Sequence, residues 1–298
     1  MGFESTSSGV AASIYLGLYT LYLLLAINVV RKKGFKSIYT ALLAFGIFRV
    51  GGQLCGVAFA VLGIQYWPWL VAYLVLTAEG YFSLIIAAFY FIVQCQIRQN
   101  GRSWLCKCKE ERKEEQEASK FKHTSCLSWS TVFHLVLVPA NALVIGGGTT
   151  LTGIDTDRWD QETDKINTSK GLRTAGQAIF LIQTIIVILL LVYVYVREKV
   201  RGHTIYLLFA ASPFLLVRGI FGILSIFIDK MNYYQLSNYD GAGLTSDFVA
   251  YEYCLATTME FIAASLFISN YYLDNSEKDI LDENFSKFES DESSSINA

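Results

Sequence analysis

The stretch Ala211-Ser-Pro-Phe-Leu-Leu-Val-Arg218-Gly-Ile-Phe-Gly-Ile-Leu-Ser-Ile-Phe-Ile228 decides the fold, because it is apolar almost throughout and carries one charge near its middle. Apolar runs of about 20 residues span the ~30 Å hydrocarbon core of a bilayer as helices. A cation near the bilayer centre costs at least ~2.5–3.5 kcal/mol on insertion scales, so Arg218 is expected to face a bundle interior and find a partner there. The chain must then hold other membrane helices, one of which supplies a carboxylate.

Composition agrees with that expectation. Hydrophobic residues make up 53% of the 298, aromatics 14%, only three prolines occur, and the mean hydropathy is +0.38. The apolar residues gather in long runs and not in the alternating patterns of soluble elements. Seven runs, at about 10–30, 38–62, 69–93, 129–145, 175–196, 204–228 and 248–273, predict an all-α, seven-transmembrane-helix bundle over 10–273. A short N-terminal segment, 1–9, precedes it, and an acidic, Ser-rich tail, 274–298, is expected to be disordered. The run 10–30 lacks a basic leader and a cleavage site, so it reads as the first helix and not as a removed signal peptide.

Lys and Arg are distributed unevenly between the loops. The segments after helices 1, 3 and 5 and the tail carry 17, and those on the opposite side carry 5. This asymmetry predicts an N-terminus outside and a C-terminus in the cytosol. Asn167 of Asn167-Thr-Ser169 then faces the lumen or exterior as a glycosylation acceptor, whereas Asn284 of a second such pattern is cytosolic and expected to stay unmodified. The plasma membrane or an endomembrane, endoplasmic reticulum or vacuole, is the expected location.

Further charges lie inside the predicted helices. Arg49 sits in helix 2 among Gly51, Gly52 and Gly56, and Glu79 sits in helix 3, each about eleven residues from a helix end and so near the midplane at ~1.5 Å per residue. By the same counting Arg218 in helix 6 and Glu260 in helix 7 share a depth. Two intramembrane pairs are expected, Arg49–Glu79 and Arg218–Glu260, and Glu252 is a further carboxylate within reach of the same cavity. Gln53, Tyr81, Asn141, Gln177, Gln183 and Tyr253 are candidates for the neutral polar lining. The pattern Arg31-Lys-Lys33 before Ile38-Tyr39 recurs as Arg197-Glu-Lys199 before Ile205-Tyr206, and Arg49 and Glu79 fall opposite Arg218 and Glu260. This suggests a parallel 3+1+3 repeat about an axis along the membrane normal. Chance similarity between two sets of apolar helices remains the alternative. The charge pairs likewise have a purely structural reading.

Enzymatic chemistry has little support. The histidines His123, His134 and His203 are scattered, and no nucleophile elbow or phosphate-cradling glycine motif occurs. Cys106-Lys-Cys108 is half of a metal-binding pattern that nothing completes, so neither a metal nor a cofactor is expected. Cys95, Cys106, Cys108 and Cys126 flank predicted membrane helices and are candidate palmitoylation sites. The charged stretch 109–117 reads as a solvated helix and not as a nucleic-acid contact.

Taken together, Gly146-Gly-Gly148 after helix 4, Gly176-Gln177 entering helix 5, Arg218-Gly-Ile-Phe221 and the helix-7 carboxylates resemble a fungal seven-helix family of unknown function, and more distantly the fungal RTA-like lipid-translocating exporters. Gly222 stands where those exporters typically carry a second arginine. The resemblance implies lipid or amphiphile handling. The expected protein is a non-enzymatic, multi-pass protein of the lipid bilayer that transports or senses a lipid-like or amphiphilic small molecule at a polar intramembrane site. The alternative is a receptor-like sensor that engages a cytosolic protein partner through its basic third inner loop and acidic tail.

Overall fold

The computed structural model describes residues 3–106, 128–150, 162–240 and 243–273. These residues form seven helices: α1 Thr6–Lys33, α2 Tyr39–Leu62, α3 Trp67–Asn100, α4 Trp129–Thr149, α5 Thr163–Val196, α6 His203–Phe227, and α7, which runs as Ser246–Glu252, a π-helical turn Tyr253–Thr257, and Thr258–Leu273. The first six are long and apolar enough to cross a membrane.

The distribution of polarity is that of a protein dissolved in lipid. Leu21, Leu135 and Leu189 are 62%, 65% and 62% exposed, whereas Arg49 and Glu260 are 1% and 0% exposed. A water-soluble bundle would invert that arrangement, because burying a charge without a strong partner costs several kcal/mol while exposing leucine to hydrocarbon costs nothing. The chain is a helical bundle of an integral membrane protein.

α3 is the centre of the bundle and packs against α2, α4, α5, α6 and α7. The others follow roughly in chain order around it, with α1 closing the ring against α2 and α7. α2 ends at Gly63, whose φ of 78° is open to glycine with little strain, and Pro68 then sits in the first turn of α3, where its missing N–H costs no helical hydrogen bond. A loop with a two-residue hairpin, Tyr239 opposite Leu244, covers this end of the bundle beside the N-terminal residues: Ser5 Oγ donates to the Leu244 carbonyl at 3.2 Å. At the opposite end the carboxylate of Glu198 accepts from Gln96 Nε2 at 2.9 Å and from Trp104 Nε1 at 2.7 Å, tying the end of α3 to the α5–α6 link.

Several helix boundaries differ from the sequence expectation, α1, for one, spanning Thr6–Lys33. α3 runs on to Asn100 beyond its apolar stretch, carrying the buried Gln94 and Gln96, and stops at Gly101. α5 begins at Thr163 and not near 175, so Asn167 is an exposed residue on its first turns and not part of a loop. Its added turns are polar and gave no hydropathy signal, but they pack on the end of α4, where Ser169 Oγ donates to the Gly147 carbonyl at 2.5 Å. Small residues make this crossing close. A Cβ at Gly147 would lie 2.8 Å from Arg173 Cγ, and one at Gly176 would lie 2.6 Å from the Ala140 carbonyl oxygen. The glycines expected to end helix 4 are therefore inside α4, at its contact with α5.

Candidate functional site

The core of the bundle is ionic. Glu260 of α7, fully buried, is shared by two arginines: Arg218 of α6 donates from Nε to Oε1 at 2.5 Å, and Arg49 of α2 pairs through Nη2 with Oε2. Arg49 also points Nη2 at the Thr77 carbonyl of α3, 3.4 Å away. Aromatic rings surround the cations, with Arg49 Cζ 5.8 Å from the Phe45 centroid and Arg218 Cζ 4.9 Å from that of Tyr81. The Tyr81 hydroxyl in turn bonds Thr184 at 2.7 Å and donates to the Leu215 carbonyl at 3.3 Å, linking α3 to α5 and α6.

The expected Arg49–Glu79 pair is not made. α3 turns Gly80 toward Arg49, so closely that a Cβ there would lie 2.7 Å from Arg49 Nε. Glu79, one residue earlier, is rotated by about 100° around the helix. It faces α4 instead, where Asn141 Nδ2 donates to its Oε1 at 2.5 Å. Position along the helix does not suffice, because azimuth selects the partner. The mirrored charge pairing that the 3+1+3 repeat expected is absent for the same reason, since both arginines converge on one carboxylate.

The π-helical turn in α7 positions the other acid. At about 100° per residue, eight α-helical residues would leave Glu252 and Glu260 some 80° apart, and the wider turn absorbs about one residue of rotation, bringing them nearer one face. Its loosened carbonyls are occupied: Tyr19 Oη donates to the Thr257 carbonyl at 3.0 Å and Thr258 Oγ1 to that of Tyr253 at 2.6 Å. Glu252 is buried, with Tyr73 Oη 3.5 Å from Oε1. Burial and the adjacent Glu252 carboxylate push the Tyr233 phenol of the α6–α7 loop well above its ordinary value, so it remains protonated.

The remaining polar candidates divide by location. Gln53 accepts from Tyr253 Oη at 3.0 Å beside the ionic core. Gln177 lies over Gly222, where a Cβ would be 3.0 Å from its Cδ and 3.4 Å from Arg218 Nη1. The glycine at 222 is what leaves room for that amide beside the arginine, and the amide oxygen makes no hydrogen bond among the described residues. Asn141 belongs with Glu79, and Gln183 faces a separate apolar groove between α3, α4 and α5 lined by Phe133 and Trp129. Cys95 and Cys106 are buried, which removes their thiols from the accessible surface a palmitoylation site needs, and Cys108 and Cys126 lie outside the described residues.

A cleft of about 100 Å³ descends from the N-terminal end of the bundle to this core. Leu74, Val75, Val144 and Phe221 are among its apolar walls, and Arg218 and Glu252 lie on its lining, so it joins an apolar channel to charged groups. Arg173 also lines it, near the mouth. The sequence reading missed Arg173 because it fell in a segment counted as loop. Its spacing of four from Gln177 was the available signal, since residues i and i+4 share a helical face. Comparison of the chain with protein-family models, with curated proteins and with solved structures gives no match.

Proposed function

We propose that this protein binds an amphiphilic small molecule in the cleft between α3, α4, α5 and α6 and carries it across the bilayer without chemical change. The observation that carries the reading is the cleft itself, which sets an apolar wall of Leu74, Val75, Val144 and Phe221 beside polar and charged side chains that continue to the ionic core. The apolar walls suit an alkyl chain, and the charged floor suits a head group. Movement follows from the sharing of Glu260. A head group that competes for Arg218 loosens its bond to α7 while Arg49 still holds Glu260, so occupancy of the cleft alters the packing of α6 against α7 and α2. The open cleft at one end and the Glu198 tie at the other support one of two alternating states of access. In this reading α7 is a seventh crossing, and the Lys and Arg asymmetry puts the cleft mouth outside and the tail in the cytosol.

Reconstituted vesicles test it. A fluorescent dodecyl amphiphile added outside should become protected from an impermeant quencher faster with the protein than without, and Arg218→Gln should remove most of that gain. Saturable binding without any flux, together with ligand-dependent recruitment of a cytosolic protein, would overturn transport in favour of a receptor-like sensor.

A further inference from the structure

The charges along the cleft are unequal, and the imbalance bears on which head group it takes. Two arginines and one carboxylate line it among the described residues. Arg218 is satisfied by Glu260. Glu252 is met by the hydroxyl of Tyr73 and the protonated phenol of Tyr233. Arg173 has neither kind of partner: no carboxylate among the described residues lies within ion-pair distance, and its Nε bonds to nothing there. Its guanidinium stacks 4.3 Å over the ring of Tyr234, and burial pushes that phenol up, so no phenolate balances the charge.

Arg173 is also held in position. The α4 backbone at Gly147 leaves room only for its stem, and the Tyr234 ring is fixed by a 3.2 Å bond from its hydroxyl to the Gly148 carbonyl. One turn further along α5, Gln177 lines the same cleft and lies over Gly222 beside Arg218, its amide oxygen without a hydrogen-bond partner among the described residues. Arg173, Gln177 and Arg218 thus form a polar track from the mouth of the cleft to its floor. An ammonium head group would meet two guanidinium groups along it, whereas a carboxylate or phosphate would find at its mouth a cation without a counter-charge among the described residues.

We infer that the amphiphile taken by this cleft is anionic, its carboxylate or phosphate received at Arg173 and passed along Gln177 to Arg218. The inference rests on the amphiphile-binding reading above. Its test compares probes of one chain length, fluorescently labelled dodecanoate, dodecyl phosphate, dodecylamine and dodecanol, titrated onto the full chain in nanodiscs of uncharged lipid. Saturable binding of dodecanoate or dodecyl phosphate about tenfold or more tighter than dodecylamine and dodecanol is expected, and the tighter of the two anions identifies the head group. Arg173→Gln should remove that preference and Arg173→Lys should restore part of it. Equal or tighter binding of dodecylamine or dodecanol, or an unchanged preference in a folded Arg173→Gln protein, overturns the anionic assignment and leaves amphiphile binding standing. If none of the four binds saturably, amphiphile binding itself falls. Should Arg173→Gln not fold, the comparison of head groups on the unaltered protein decides alone.

Discussion

Replacing Glu260 by Gln should be among the most damaging single changes in the core, because one carboxylate serves two buried arginines. Removing one partner of a buried ion pair costs about 3–5 kcal/mol, since the other is stranded in a low dielectric. Here Glu260→Gln strands both Arg49 and Arg218, whereas Arg49→Met or Arg218→Met leaves Glu260 with its second partner. The order of loss should therefore be Glu260→Gln well above either arginine substitution. At the ~2–4 °C per kcal/mol of soluble domains of 150–250 residues, 3–5 kcal/mol corresponds to a fall of about 6–20 °C in apparent Tm. The assay is the fraction of monodisperse protein in mild detergent after a heating series. Double-mutant cycles should give couplings of about 0.5–3 kcal/mol for Arg49–Glu260 and Arg218–Glu260, and no more than ~0.5 kcal/mol for Arg49–Glu79. Glu260→Gln costing no more than Arg218→Met, or a coupling of Arg49 to Glu79 larger than its coupling to Glu260, would refute the shared-carboxylate core. Strong coupling of Arg218 to Glu252 with none to Glu260 would move the pair to the other acid.

Further outcomes follow from the α4–α5 crossing and from the orientation. Gly176→Ala should lower the apparent Tm by about 2–12 °C, because its Cβ meets the Ala140 carbonyl and overpacking of this kind costs about 1–3 kcal/mol. Gly171→Ala, on the same helix with open space around it, should leave Tm unchanged or raise it slightly, and an equal loss at both positions would show that the close approach is not the cause. Expressed in a eukaryotic host, the unaltered protein should shift on glycosidase treatment and the Asn167→Gln protein should not, and a glycan on Asn284 instead would reverse the proposed orientation.

Part of this architecture was legible from hydropathy and counting alone. Long apolar runs must cross the bilayer as helices because no other open structure satisfies its backbone there, so helix number and approximate extent follow from composition along the chain. Arg218 and Glu260 could be matched because residues at equal depth on adjacent helices are within side-chain reach, and the two side chains meet. The polar first turns of α5 were not legible. They gain stability against α4, through Ser169 and Gly176, and against the α6–α7 loop, through Arg173 on Tyr234, and those contacts exist only in the assembled bundle.

The sequence by itself determined that charged residues would lie inside a membrane bundle, because their transfer cost leaves no other place for them. Which charge meets which was decided by the tertiary structure. Arg49 passes Glu79 by because Gly80, a residue with no side chain, is what α3 turns toward it, and about 100° of rotation separates neighbours on a helix. The π-helical turn reorients Glu252 against Glu260, and the absence of a side chain at Gly222 lets Gln177 approach Arg218. Depth is a linear property of the chain, fixed by counting residues. Azimuth depends on how seven helices pack, and no single stretch of the sequence contains it.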